Sequence, residues 1–160
     1  RVTTKGVKEE ELVDLKKAIQ EAVSRYHIEG VVTGAVRSRY QADRIQRICD
    51  ELGLKCVNPL WMMNQVELLR EVVKKGIRAV ITGVFAEPFD ESFLGKEIDD
   101  RMIVELSKQQ NPAGEGGEIE TTVVDAPVFK KRIKITKSSV SFEKFSGVFR
   151  IEDAVLESKV

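Results

Sequence analysis

Before residue 84 the chain runs three times through an amphipathic helix, a glycine and a short apolar run, and this repeat constrains the fold more than any other feature. Leu12, Leu15, Ile19, Val23 and Tyr26 recur at helical spacing ahead of Gly30 and Val31-Val32-Thr33. Ile45, Ile48, Cys49 and Leu52 precede Gly53 and Leu54-Lys55-Cys56-Val57. Val66, Leu69 and Val73 precede Gly76 and Ile77-Arg78-Ala79-Val80-Ile81. Glycine just past a helix takes the left-handed conformation that ends it without a Cβ clash. Short β-branched runs between helices specify a parallel sheet with helices on both faces. The expected class is therefore α/β, with a Rossmann-like sheet over residues 1–84.

The pattern changes after Thr82-Gly83. Phe85 to Gly95 reads as an irregular connection containing Pro88, and Ile98, Met102, Ile103 and Leu106 mark one more helix. From Glu118 the period is two, in Ile119/Thr121/Val123, Ile133/Ile135, Val140/Phe142 and Val148/Arg150. Three or four mostly antiparallel strands are expected. Residues 85–160 thus form a smaller α+β lobe.

Bulk composition removes several classes of function. Lys+Arg and Asp+Glu stand at 26 each among 160 residues, so a general electrostatic grip on nucleic acid or anionic lipid is not indicated. No apolar run approaches the roughly 18 residues of a membrane span. Cys49 and Cys56 lack metal-ligand spacing and read as buried free thiols of a reducing cytosol. With His27 as the only histidine, a hydrolase triad and a structural zinc site are both disfavoured. The charged fraction of 32%, rich in Lys and Glu, suits a thermophile. The chain begins Arg1-Val2-Thr3-Thr4 and not with Met, so it is expected to belong to a longer product.

In open α/β sheets, ligands sit beyond the carboxyl ends of the strands. Gly34-Ala35-Val36-Arg37-Ser38-Arg39-Tyr40-Gln41 falls there, and Ser38 with Gln41 fits a capping box. A helix N-terminus flanked by Arg37, Arg39 and Arg44 is either an anion site or an ordinary cap among solvated arginines. Tyr40 can stack on a ring or pack in the first helical turn. Asn58-Pro59-Leu60-Trp61 follows the second strand, where Trp61 is a wall for an aromatic ligand or a core or interface residue. The third segment leads from Val84 to Asp90-Glu91-Ser92, whose acids read better as a cap than as metal ligands. The sequence contains neither Gly-x-Gly-x-x-Gly nor a Walker-type loop.

Pro112-Ala113-Gly114-Glu115-Gly116-Gly117-Glu118-Ile119-Glu120-Thr121 carries the strongest chemical signal. Three glycines permit positive φ and close backbone approach. Glu115, Glu118 and Glu120 held together repel anions and favour a cation, an amine or ammonium. Such carboxylates can orient an amine or ammonia, accept protons or hold a divalent cation, and the loop falls where two lobes would meet. The bland reading is a tight turn with its glutamates in water.

These residues together resemble the diphthine–ammonia ligase family, adenine-nucleotide α-hydrolase-like enzymes of archaea and eukaryotes. The likeness runs through Gly34-Ala-Val-x-Ser-x-Tyr-Gln-x-x-Arg44, Pro59-Leu-Trp61, Asp90-Glu-Ser-Phe-Leu-Gly95, Gly114-Glu-Gly-Gly-Glu-Ile-Glu-Thr121 and Asp125-Ala-Pro-Val-Phe129. It covers most of residues 5–160, and Ile119 replaces the family's usual aromatic.

The resemblance implies a cytoplasmic enzyme that spends ATP to adenylate the carboxylate of diphthine on translation elongation factor 2. Ammonia then displaces AMP and gives diphthamide. It assigns Gly34, Ser38, Tyr40, Gln41, Arg44 and Trp61 to the nucleotide and acyl-adenylate. Glu115, Glu118 and Glu120 are then the catalytic carboxylates, with Gly114, Gly116, Gly117 and Thr121 shaping the substrate site. Mg²⁺ is implied as ATP's companion without named ligands, and a homodimer is left open. The family's Ser-Gly-Gly-Lys-Asp-Ser pyrophosphate loop lies upstream of the matched region, so these residues alone are not expected to hydrolyse ATP. The alternative reading is a non-catalytic binding or regulatory module that recognises elongation factor 2 or a small amine. A deaminase-like protein is a third reading, which the helix–glycine–strand repeat disfavours.

Overall fold

The computed structural model describes residues 2–4 and 11–159. It divides into two compact units, Arg1–Met62 and Met63–Val160. The expected mixed α/β class holds, but the division falls at Met62/Met63, ahead of the expected 84/85, because the third helix–glycine–strand segment builds the second unit.

The first unit contains α1 (Glu11–Tyr26), β1 (Gly30–Val32), α2 (Arg39–Leu52) and β2 (Lys55–Val57). β1 and β2 pair in parallel, with Gly30 opposite Lys55 and Val32 opposite Val57. Ile19, Ala42, Ile48 and Cys49 are buried in this unit, whereas Tyr26, expected on the α1 stripe, is 73% exposed.

α1 does not end on Gly30. His27 takes the left-handed turn at φ 52° and donates its N–H to Val23 O at 2.9 Å. Gly30 opens β1 instead, where a Cβ would stand 2.8 Å from Lys55 O, so glycine lets the strands approach. α2 ends as expected: Gly53 sits at φ 67°, its N–H reaching Asp50 O while Leu54 N–H reaches Cys49 O. This pair of bonds is the Schellman arrangement.

The second unit contains α3 (Gln65–Lys74), β3 (Arg78–Val84), a 3-10 turn at Glu91–Phe93, α4 (Asp100–Leu106), β4 (Ile119–Asp125), β5 (Lys131–Glu143) and β6 (Ser146–Ser158). The sheet order is β4-β3-β6-β5, and every pairing is antiparallel. β3 was expected to extend the parallel sheet of the first two repeats. It lies instead between β4 and β6, so only its class as a buried strand survives. An apolar run buried on both faces identifies a central strand but carries no sign for the direction of its neighbours.

The core of this unit gathers on β3. Ala79, Ile81 and Val84 pack with Leu69 of α3, Ile103 and Leu106 of α4, and Ile119 of β4. Phe89 joins them from the irregular connection and meets Phe93 edge-to-face at 5.2 Å. β5 and β6 form a hairpin of 13 residues per strand, longer than the alternating runs suggested.

Candidate functional site

In the first unit, the loops leaving β1 and β2 are tied together at the carboxyl ends of the strands. Thr33 Oγ1 donates to Asn58 Oδ1, and Ala35 N–H donates to Thr33 Oγ1 at 3.3 Å. Met62 N–H reaches Val36 O at 2.8 Å, which turns the second loop back beside the first. Ser38 then caps α2: its Oγ accepts the Gln41 N–H at 3.3 Å, the first half of the expected capping box. Gly34 is exposed, and a Cβ there would touch nothing within 4 Å.

Beyond the cap, α2 distributes the remaining candidates between two of its faces. Trp61, 37% exposed, lines a cavity of about 450 Å³ with Asn58, Arg39, Ala42, Asp43 and Gln46. Tyr40, Gln41 and Arg44 line another of about 380 Å³ with Leu12, Leu15 and Ala18 of α1. The Arg44 guanidinium lies 3.2 Å from the Tyr40 ring centroid and also donates to Tyr40 O at 3.0 Å. That stacking occupies one ring face and spends cationic character on a cation–π contact. The cavities of Trp61 and Tyr40 therefore have different walls, with Arg39 rather than Arg44 beside the tryptophan.

In the second unit, two consecutive turns build the glutamate loop. Gly114 N–H bonds Asn111 O and Gly117 N–H bonds Gly114 O, both at 2.9 Å. Gly114 and Gly117 adopt φ 74° and 85°, which the Cβ of another residue would oppose. Glu115 is half-buried between them. Glu118 folds back over the loop: Oε1 accepts Asn111 Nδ2 at 2.6 Å, and Oε2 accepts Gly116 N–H at 3.0 Å. Its backbone carbonyl accepts Phe85 N–H at 2.8 Å and leads into β4. Glu120 and Thr121 are exposed on β4, opposite Gly83 and Ile81 of β3.

The loop thus holds Glu118 in a specific orientation and passes Glu120 onto the strand. Among the described residues, no group of three His, Cys, Asp or Glu side chains is placed to hold a metal ion.

Other charges have structural duties. Asp90 caps the 3-10 turn, accepting Ser92 N–H at 2.8 Å and the Ser92 hydroxyl at 2.5 Å, and these bonds pull its carboxyl below the usual range. Glu97 takes a bidentate pair of bonds from Arg78 at 2.8 and 2.7 Å, which lowers its carboxyl likewise. Burial pushes the Cys49 thiol up to about 11, with the neighbouring Cys56 adding to the shift. Cys49 is buried as expected, while Cys56 is only half-buried.

Four residues that organise these loops carry no signature of their own: Thr33, Asn58, Gln65 and Asn111. Gln65 left one trace, a polar side chain in line with Leu69 and Val73 on the buried stripe of α3. A polar residue on such a stripe is expected to have a buried hydrogen-bond partner.

The fold and the glutamate loop define a two-unit α/β protein with a polar crevice and a carboxylate-bearing loop. The family model described as the diphthamide synthase C-terminal domain matches residues 64–156, and that of the diphthamide synthase N-terminal domain matches residues 1–56. The chain belongs to the diphthamide synthase family. The diphthine–ammonia ligase of Homo sapiens is 38% identical over 165 aligned positions, covering 97% of this chain and 61% of the human protein. That of Schizosaccharomyces pombe is 38% identical over 136 positions, 82% of this chain and 22% of the yeast protein. The Saccharomyces cerevisiae protein of the same name is 31% identical over 140 positions, 76% of this chain and 20% of its own length. The chain therefore spans between about a fifth and three-fifths of these relatives. No helix among the described residues is long and apolar enough to cross a membrane.

Proposed function

We propose that this protein takes part in the ATP-dependent amidation of diphthine on translation elongation factor 2, through an acyl-adenylate that ammonia converts to diphthamide. The observation that carries the reading is the Glu118 carboxylate, fixed by Asn111 and Gly116 within a glycine-rich loop. Relatives named diphthine–ammonia ligase that align with nearly the whole chain support it.

In the first step a diphthine carboxylate oxygen attacks the α-phosphorus of ATP and pyrophosphate leaves. In the second, ammonia attacks the acyl carbon, AMP leaves with the bonding pair, and a base takes the excess proton. Each oxygen of an ionised carboxylate has two acceptor positions. Glu118 can therefore keep its two loop bonds and still accept an N–H from ammonia or attract a cationic substrate group by charge. Glu115 is half-buried in the same loop, and Glu120 is exposed on β4.

The first unit is assigned to the nucleotide. Trp61 offers a ring face to adenine, while the Ser38-capped start of α2 and Arg39 favour an anion at the α-phosphate. Tyr40, Gln41 and Arg44, on the other face of α2, are assigned to the acyl portion of the acyl-adenylate. The described carboxylates do not form a metal-ligand set, so Mg²⁺ is proposed only as a companion of the ATP phosphates, and no step is routed through it.

The test is amidation of diphthine-bearing elongation factor 2 by Glu118→Gln and Glu115→Gln variants, with circular dichroism as the check on folding. Loss of diphthamide in folded variants supports the reading, and full activity in both sinks it. Binding of elongation factor 2 without ATP-dependent AMP release, by the unsubstituted protein carrying an upstream pyrophosphate loop, favours the non-catalytic module.

A further inference from the structure

The glutamate loop is anchored by a side chain that the proposed chemistry does not use. Gln65, in the first turn of α3, is 4% exposed and is the only buried polar side chain among the described residues. Its Oε1 accepts the Ala113 N–H at 2.9 Å, and its Nε2 donates to Asn111 Oδ1 at 3.4 Å. Asn111 Nδ2 then donates to Glu118 Oε1 at 2.6 Å.

These bonds have a direction. A backbone N–H can only donate, so Ala113 selects the carbonyl end of the Gln65 amide and turns its NH₂ toward Asn111. That NH₂ selects the carbonyl end of Asn111, whose own NH₂ is left facing Glu118. A reversed Asn111 amide would press a carbonyl oxygen against a carboxylate. One backbone donor thus dictates, through two side-chain amides, that Glu118 meets a donor and not an acceptor. Because these groups lie in a partly desolvated site, each bond also polarises the next.

We propose that Gln65 and Asn111 are positioning residues that set the rotation of the Glu118 carboxylate and so direct its remaining acceptor positions toward the amine. This rests on the role given to Glu118 above. With Gly116 holding the second oxygen, the carboxylate is gripped at both ends. A gripped acceptor meets an incoming amine without first losing rotational freedom.

The decisive variant is Gln65→Glu. It preserves volume and the acceptor for Ala113 but, as an ionised carboxylate, replaces the donor to Asn111 with an oxygen, so the Asn111 amide turns over and faces Glu118 with its carbonyl. Amide hydrogen exchange in the 160-residue chain reads the result. Exchange at Gly116 is expected to accelerate about five- to tenfold, the loss of one hydrogen bond, while Ala113 stays within about twofold. Unchanged Gly116 exchange in a folded Gln65→Glu chain overturns the relay. If that variant does not fold, Asn111→Ala replaces it, with the same split expected and the same result overturning it.

In amidation assays, Gln65→Glu is expected to raise KM for ammonium about tenfold while KM for ATP stays level. A loss confined to kcat overturns the positioning role. Should the role of Glu118 itself be wrong, Glu118→Gln keeps full activity while the exchange split at Gly116 persists, so the two failures are distinguishable.

Discussion

Gly114 and Ile119 approach so closely that a Cβ on Gly114 would lie 2.6 Å from Ile119 Cγ1 and 2.8 Å from Ile119 O. Gly114 also has φ 74°. Two independent demands therefore fall on one residue, backbone handedness and the close passage of the loop over a side chain only 6% exposed. Glu118 owes its place to this contact, because the turn that follows Gly114 brings Gly116 N–H within reach of its carboxylate.

Gly114→Ala is accordingly expected to destabilise the protein by about 2–4 kcal/mol, combining left-handed strain with overlap against Ile119. Gly117→Ala is the control, since Gly117 has φ 85° but open space around it. Its cost should be about 1–2 kcal/mol, the backbone term alone. Urea unfolding of both variants measures the gap, and equal costs would remove the role given to Ile119.

The Arg78–Glu97 pair sets part of the acid response. Its side chains are 47% and 36% exposed, so solvent screening limits the pair to about 0.5–1 kcal/mol. Arg78 holds the folded-state carboxyl of Glu97 below the ordinary glutamate value. A lowered carboxyl contributes stability that is complete above the unfolded-state value and is lost as pH falls through the folded one. Glu97→Gln should therefore be less stable than the parent at pH 7, and the difference should shrink on acidification below about pH 4. Denaturant titrations at the two pH values give the answer; a gap independent of pH contradicts it.

Cys49 predicts an alkaline limb. A thiol raised to about 11 in the folded state ionises earlier once the chain unfolds. The folded state then binds more protons above about pH 9, and stability falls as pH rises from there toward about 11. Cys49→Ala should flatten that slope while creating a small cavity that costs about 1 kcal/mol at neutral pH. In the parent, half-buried Cys56 should react with iodoacetamide well before buried Cys49. Equal labelling rates at pH 7.5 would contradict this ordering.

What was legible in the sequence follows from the range of the forces involved. Local devices were readable: Ser38 as the cap of α2, Gly53 and Gly76 as helix stops, Asp90 as a cap, and the alternation of the C-terminal strands. Each depends on residues within a few positions of one another. The direction of β3 was not readable, because its partners lie at residues 119–125 and 147–148 and the run Ala79-Val80-Ile81 suits either sense. His27 escaped because a histidine seldom takes positive φ, while the nearby Gly30 offered a more familiar stop. The motif residues of the glutamate loop stood out by composition. Gln65, 46 residues from Asn111, is tied to it only by folding.

Trp61 supplies the most direct test of the nucleotide assignment. It is the only tryptophan, partly exposed, beside Asn58 and the first turns of α2. AMP is the suitable probe, since its single phosphate needs no pyrophosphate cradle. Adenine stacking on the indole should quench Trp61 fluorescence saturably, and acrylamide should then reach the ring less well. Asn58→Ala removes the acceptor that Thr33 Oγ1 uses and loosens the two loops against each other. AMP affinity should fall about five- to tenfold, the scale of one hydrogen bond, while the emission of the free protein changes little. Tyr40→Phe, on the other wall of α2, should leave the AMP response intact if adenine lies on Trp61. A loss there equal to that of Asn58→Ala would move the base to the Tyr40 cavity.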